Sequence, residues 1–232
     1  MAGSEFGEVV IAFDAENSLL IELVTKYSAG SHPAELGEAQ LSHDDIEVLK
    51  EWISTGAKSP NGQVPFEDPS ELVYVTNQGE AMVDVIGTQS NTVVRRIDLT
   101  TLGFSINAKP HHIAVEDDGS YWYLTLISEG GVLKFNRLNE MIDQAAFEVP
   151  GLLALDPSSD RLFVGRSMAA VNPAQRIGII DRSTMNIDEV DVFHPRPHAL
   201  AVSPTGEFVL SGSLGENRII AINMESGDAT RY

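Results

Sequence analysis

The chain contains no cysteine among its 232 residues. This absence excludes disulfides, thiolate metal sites, cysteine nucleophiles and the covalent attachment of haem. Basic residues are also few, with 15 lysines and arginines against 34 acidic residues and a formal net charge of −19. Because such a charge repels nucleic acid and anionic membrane surfaces, the sequence predicts neither of them as a binding partner.

Long apolar runs and the common catalytic motifs are missing as well. No stretch approaches the roughly 20 apolar residues that a membrane-spanning helix needs, so we predict no membrane insertion. Residues 1–6 (MAGSEF) lack basic residues and an apolar core, so they are interpreted as a cloning remnant and no signal peptide is predicted. The sequence has no phosphate-binding loop, dinucleotide glycine motif, HExxH or GxSxG, which favours a chain that is not an enzyme.

Residues 7–60 are predicted to form a helical segment. Apolar residues recur at helical spacing in Ser18–Tyr27. A second helix is predicted to begin after Ser42, with Asp45 completing a capping box, and to end at Gly56. Its apolar stripe should pack on the β region or on a partner chain, and consists of Ile46, Leu49, Trp52 and Ile53.

The stretches NSLLIELVT and LSHDDIEVLKEWISTGAKSP in this segment resemble the carboxy-terminal half of the small c-type cytochrome modules common in planctomycetes and related bacteria. In those modules a haem-binding Cys-x-x-Cys-His lies upstream, and a Met-Pro pair usually precedes the last helix. Here the first motif is absent and His32-Pro33 stands in place of Met-Pro. The resemblance implies a cytochrome remnant, in which His32 is a relic axial ligand or an exposed loop residue. His43, in the first turn of a helix, is expected to be solvated. No cofactor is expected in this chain, and haem c would belong to an intact parent.

From about residue 61 the chain is predicted to consist of β-strands arranged in repeats. Three segments align without gaps as strand, tight turn and strand: Ile113–Thr125, Leu153–Gly165 and Leu200–Gly212. The same register extends back to Val64–Thr76, where the first strand is short and interrupted by Pro65. A third strand is predicted in each unit at Met82–Ile86, Val132–Phe135, Ile177–Ile180 and Ile219–Ile222. A fourth strand is predicted at Val93–Ile97, Ala145–Val149, Ile187–Val192 and, shortened, Ala229–Tyr232.

Tyr74-Val75-Thr76-Asn77, followed by Gln78-Gly79, resembles the signature of the YVTN family of β-propeller repeats. We therefore predict a mainly β fold of about four four-stranded propeller blades, preceded by the short helical segment. The blades are placed within residues 61–232, at about 61–100, 110–149, 150–193 and 197–232, with a surface insertion at Ser167–Gln175.

Family members usually close a ring of seven blades, so the resemblance implies that the chain is a fragment of a larger propeller. A ring that closes with four blades is the alternative. An open arc exposes an apolar face and a strand edge at each end. We therefore expect self-association, as a dimer in which two arcs meet, or association with another protein.

Histidines are the candidate metal ligands, because imidazole binds Zn, Cu and Fe. They lie where the predicted first strands of the second and fourth units begin, and just before the fourth unit: His111, His112, His198 and His194. In the resembling family the Pro-His pattern often serves a structural role between blades, and this interpretation stays open beside the metal site. Carboxylates in Asp117-Asp118-Gly119 and in Asp156–Asp160 are expected to serve as turn residues.

Two functions from different classes follow. The first is a non-catalytic binding or assembly scaffold whose ligand is unknown. The alternative is part of an exported redox protein, periplasmic or extracellular, that couples a c-type cytochrome to a propeller and resembles haem nitrite reductases or electron-transfer proteins. A Soret band in the visible spectrum of the purified chain would favour the second.

Overall fold

The computed structural model describes residues 8–26, 41–166 and 175–232. The chain forms two compact units. The first comprises residues up to 75 together with 83–97, and the second comprises residues 76–82 and 98–232. Three parts of the sequence analysis lie outside the described residues. They are residues 1–7, the pair His32-Pro33, and all of the predicted insertion except Gln175.

Two α-helices, α1 (Leu19–Lys26) and α2 (His43–Ser54), lie in the first unit. The predicted capping box of α2 is confirmed: the Ser42 hydroxyl accepts from the Asp45 backbone N–H at 3.2 Å, and the Asp45 carboxylate accepts from the Ser42 N–H at 3.1 Å. His43 is exposed, as expected. None of the described helices is long and apolar enough to cross a membrane.

The apolar stripe of α2 packs inside the first unit. Ile53 is fully buried, while Leu49 and Trp52 are half-buried in the same cluster. Residues from the start of the described chain and from the segment after α2 complete this core: Val10, Ala12, Ala15, Ile21, Ala57 and Val64. The helical segment thus builds a small core of its own, together with Val64, the residue at which the first β-strand was predicted to begin.

The first sheet has three strands, not the four predicted. Its strands are β1 (Leu72–Asn77), β2 (Met82–Gly87) and β3 (Thr92–Asp98), paired in that order. The predicted strand around Val64 and Pro65 does not form. The Val64 N–H is bound by the Glu67 carboxylate at 2.8 Å, proline offers no N–H for pairing, and Phe66 has a positive φ of 57°. Each of these features removes the backbone from an extended ladder.

The second unit contains three antiparallel four-stranded sheets, each with its strands in sequence order. The second sheet comprises β4 (Pro110–Val115), β5 (Tyr121–Leu126), β6 (Gly131–Asn136) and β7 (Met141–Ala146). The third sheet comprises β8 (Pro150–Leu155), β9 (Arg161–Arg166), β10 (Arg176–Asp181) and β11 (Ile187–Asp191). The fourth sheet comprises β12 (Pro197–Val202), β13 (Phe208–Ser213), β14 (Ile219–Asn223) and β15 (Ala229–Arg231).

The strand bounds confirm the predicted repeat register. In each of these sheets the first strand begins at a proline and the second begins eleven residues later. The predicted strand Ala145–Val149 is displaced, since β7 ends at Ala146. The Phe147 N–H bonds to the Gly130 carbonyl at 2.9 Å and Val149 has a φ of 49°, so the chain turns there toward the third sheet.

The three sheets stack through apolar faces. One cluster joins Tyr123 and Val132 of the second sheet to Leu153 and Val164 of the third. A second cluster joins the third sheet to the fourth and contains Phe163, Ile177, Val209, Ile220 and Ile222. The first strands β4, β8 and β12 contact one another in sequence, so the histidines at the starts of β4 and β12 are brought to a common edge of the stack.

Candidate functional site

The turns before the first strands of the second, third and fourth sheets share an uncommon backbone conformation. A non-glycine residue with positive φ precedes the starting proline in each of the three sheets: φ is 57° at Lys109, 49° at Val149 and 53° at Arg196. The Lys109 carbonyl accepts from the Ile127 N–H at 3.1 Å, and the Arg196 carbonyl accepts from the Leu214 N–H at 3.0 Å. Because such conformations persist only when neighbouring structure holds them, these two bonds fix where β4 and β12 begin.

His111 and His198 are brought together although 87 positions separate them in the chain. Their ring centroids lie 5.6 Å apart with the ring planes tilted by 37°. The Gln78 side-chain amide nitrogen lies 2.6 Å from His111 Nδ1, a contact that the sequence analysis did not anticipate. Since an amide nitrogen can only donate, Nδ1 accepts and the proton of a neutral His111 ring resides on Nε2. Within the described residues, His111 Nε2 and His198 Nδ1 are buried atoms without a hydrogen-bond partner.

His112 links two neighbouring sheets. Its Nδ1 accepts the backbone N–H of Leu153 in the third sheet at 3.1 Å, and its own backbone N–H donates to the Thr125 hydroxyl at 3.0 Å. The neutral ring therefore carries its proton on Nε2. This bond favours the structural interpretation of the Pro-His pattern, in which the histidine joins one repeat to the next.

His194 lies apart from the other three. It is almost fully buried, its Nε2 lies 3.1 Å from the Ser211 hydroxyl, and its Nδ1 lies 3.4 Å from the Pro195 carbonyl oxygen. These contacts attach the segment before β12 to β13. The structure therefore groups His111, His112 and His198 and assigns His194 to a separate set of local bonds.

A metal ion at these histidines stays a prediction. Across residues 8–26, 41–166 and 175–232, no three histidine or carboxylate side chains form a group that could hold a metal. As bonded, His111 and His112 each keep a proton on Nε2 and use Nδ1 as an acceptor, so ligation by either ring requires the present hydrogen bond to break.

The environment of the cluster favours neutral imidazoles. Burial lowers the pKa of His111, and burial together with the His111 and His198 rings lowers the pKa of His112. Burial lowers the pKa of His198 as well, with further lowering by His111 and Arg196. At neutral pH these side chains therefore act as uncharged hydrogen-bonding groups.

We expect the free energy of unfolding to fall as the pH is lowered from 7 toward 5. Each ring has a folded pKa below its unfolded value of about 6.5, so the unfolded chain binds more protons. The contribution to stability is complete above the unfolded pKa and is lost as pH falls toward the folded pKa. Urea denaturation between pH 5 and 7.5 measures this slope.

The His111→Asn/His198→Asn double variant should flatten that pH dependence. His43→Asn provides the matched control, because His43 is exposed on α2. An unchanged slope in the double variant would contradict the assignment of neutral, buried rings.

The turn between the first two strands of the third sheet contains a second polar cluster. The sequence analysis predicted its carboxylates only as turn residues. The Asp156 carboxylate accepts from the Ser158 backbone N–H (2.9 Å), the Ser159 hydroxyl (2.6 Å) and two guanidinium nitrogens of Arg161 (2.8 and 2.6 Å). Arg161 also donates to the Gly206 carbonyl in the corresponding turn of the fourth sheet at 3.1 Å. The cluster thus connects two successive turns.

Comparison with solved structures places these sheets in a known architecture. Hydrazine synthase of Kuenenia stuttgartiensis matches with a TM-score of 0.59 at 17% identity, over 75% of this chain and 47% of that one. A putative 6-phosphogluconolactonase from Bacteroides fragilis matches with a TM-score of 0.56 at 15% identity, over 75% and 51%. Virginiamycin B lyase from Staphylococcus aureus matches with a TM-score of 0.55 at 16% identity, over 75% and 61%.

The chain has a β-propeller-type fold. At these identities the likeness concerns the fold alone, and the chain spans about half the length of the propeller structures that it matches. No protein-family model and no curated protein sequence matches it. The resemblance to YVTN repeats and to a cytochrome module therefore stays a prediction, while the propeller blades are confirmed.

Proposed function

We propose that this chain is a non-catalytic binding or assembly scaffold whose fourth sheet carries the surface that receives a partner. The observation that supports the proposal is a set of apolar side chains exposed on one side of the fourth sheet. We call this surface the open face, and it consists of Ala201, Phe208, Leu210 and Ile219.

Two large residues of the open face, Leu210 and Ile219, have repeat equivalents that are buried elsewhere. Leu210 is 40% exposed, whereas the residues at its position in the second and third sheets, Tyr123 and Phe163, are 0% exposed. The register of the sheets shows this equivalence, because Tyr123, Phe163 and Leu210 each occupy the third position of the second strand. The same position therefore forms a blade-to-blade contact in the second and third sheets and is exposed to solvent in the fourth sheet.

Ile219 repeats this pattern on the neighbouring strand. It pairs with Gly212, as Val132 pairs with Thr125 and Ile177 with Gly165 in the other sheets. Ile219 is 52% exposed, while Val132 and Ile177 are both 0% exposed. Contiguous exposed apolar surface of this kind is typical of protein interaction sites. Its positions fit a partner that presents a sheet face like that of a propeller blade.

The polar groups of the second unit support a non-catalytic role. Three of the side chains that could serve as bases or ligands, His112, His194 and Asp156, are engaged in bonds that hold turns and sheets together. The Ser211 hydroxyl lies 3.1 Å from His194 Nε2, but both side chains are almost fully buried, so this pair is not accessible to a substrate. The exported redox protein stays the alternative, and the visible spectrum of the purified chain tests it.

A hydrophobic dye tests whether the open face is an accessible apolar surface. We expect 8-anilinonaphthalene-1-sulfonate to bind the chain at sub-micromolar protein, and the Leu210→Ser/Ile219→Ser double variant to lose most of the fluorescence. Ile142→Ser is the matched control, since Ile142 is similarly exposed on β7, away from the open face. Equal fluorescence from the wild type and the double variant would overturn the proposal.

A further inference from the structure

Each blade-to-blade contact in the second unit joins two unlike faces. Tyr123 and Val132 lie on the side of the second sheet that meets the third sheet, and we call this side the leading face. Leu153 and Val164 lie on the side of the third sheet that it meets, and we call this side the trailing face. The contact between the third and fourth sheets repeats the arrangement, with Phe163 and Ile177 on the leading face and Val209 on the trailing face. A leading face therefore fits a trailing face in both contacts.

The open face is the leading face of the fourth sheet. A surface that completes it in the same manner must present trailing-face residues, which are aliphatic and lie at alternate positions of a second strand. In the third sheet those positions are Leu162 and Val164, and both are 0% exposed.

The first sheet of this chain has exposed residues at the matching positions. Val73 and Val75 on β1 stand 89 residues before Leu162 and Val164, and β1 begins 89 residues before β9. Val73 is 48% exposed and Val75 is 38% exposed. The chain thus carries an exposed leading face on its fourth sheet and exposed trailing-face residues on its first sheet.

We propose that a second copy of this chain binds the open face through Val73 and Val75 of its first sheet, in a head-to-tail contact. The inference rests on the proposed function and names its partner. The contact would extend the interface that already joins the third sheet to the fourth, with an aliphatic strand packed on Leu210 and Ile219. Because both copies are strongly acidic, repulsion opposes the contact and is screened by salt, so association should be stronger at 0.15 M salt than at 0.01 M.

A head-to-tail contact makes a specific prediction for paired variants. Leu210→Glu places a charge in the open face, and Val75→Glu places one in the trailing face; both positions are exposed, so folding should be retained and is checked by circular dichroism. Each variant alone loses self-association, because the contact needs an intact open face in one copy and an intact trailing face in the other. An equimolar mixture should recover a dimer, since it still offers one intact pair of faces.

Light scattering at tens of micromolar protein in 0.15 M salt measures the mass. We expect the wild type and the mixture to exceed the 25.1 kDa of a single chain by about twofold or more, each variant alone to remain at that mass, and an Ile142→Glu control to match the wild type.

Three results would overturn the head-to-tail contact: a monomeric wild type, a mixture that stays monomeric, or a Val75→Glu variant that still dimerises while Leu210→Glu does not. The last result would mean that two open faces meet each other. A monomeric wild type that binds the dye at the open face would leave the proposed scaffold function standing and remove only its second-copy partner.

Discussion

Replacing Trp122 by alanine is expected to lower the free energy of unfolding by about 3–5 kcal/mol, the usual cost of removing a large aromatic side chain from a core. Trp122 is 1% exposed and stacks on Phe135, with ring centroids 4.0 Å apart and planes inclined by 7°. Its Nε1–H donates to the Asn139 side-chain oxygen at 3.1 Å. The substitution therefore leaves a cavity, removes the stacking contact and breaks a hydrogen bond.

Urea denaturation monitored by circular dichroism measures this effect. Trp52→Ala is the matched control, because Trp52 is only half-buried and its ring nitrogen bonds to the Lys58 carbonyl at 2.9 Å. We expect a smaller loss of stability for the control. A loss below about 1 kcal/mol for Trp122→Ala would contradict the placement of this ring in a closed core.

Replacing Asp156 by alanine should cost on the order of 3 kcal/mol, because the buried carboxylate binds Arg161 and its loss leaves that guanidinium and two serines without their acceptor. Asp118→Ala is the control. Asp118 is exposed, and its carboxylate bonds to Ser120 in its own turn, so its removal should cost much less stability than that of Asp156.

The same carboxylate contributes to acid unfolding. Burial acts to raise the pKa of Asp156, but hydrogen bonds from Ser159, Ser158 and Arg161 outweigh that effect and hold the pKa well below its usual range. Because the folded pKa lies below the unfolded value of about 3.9, this contribution is present above that pH and is lost as the pH falls below it. The difference in the free energy of unfolding between the wild type and Asp156→Ala should therefore shrink as the pH is lowered from 5 to 2. A difference that stays constant over this range would mean that the network is absent.

The repeat pattern made most of the second unit predictable. Prolines, turn residues and alternating apolar positions recur at fixed offsets, and the strands of the second, third and fourth sheets follow them. The first sheet was harder to predict, because the pattern around Val64–Thr76 has the repeat register while Pro65 and the bond from Val64 to Glu67 prevent its first strand. Local hydrogen bonding, which composition does not reveal, prevented that strand from forming.

The histidine site was predicted only in part. The Pro-His pattern indicated that side chains would gather at the starts of the first strands, and His111 and His198 do so. The contact of Gln78 with His111, the bond from Leu153 to His112 and the separate position of His194 depend on how sheets stack. Contacts that depend on how neighbouring repeats pack leave no signal in a single sequence, so these roles could not be read from it.

The exposed leading face of the fourth sheet also has a thermodynamic consequence. When each repeat is stabilised mainly by coupling to its neighbours, a repeat packed on one side has the lowest local free energy of opening, and unfolding starts there. In the described chain the fourth sheet is packed on its trailing face only, while the third is packed on both. A second copy that covers Leu210 and Ile219 would supply the missing coupling, so the cooperativity of unfolding would depend on protein concentration.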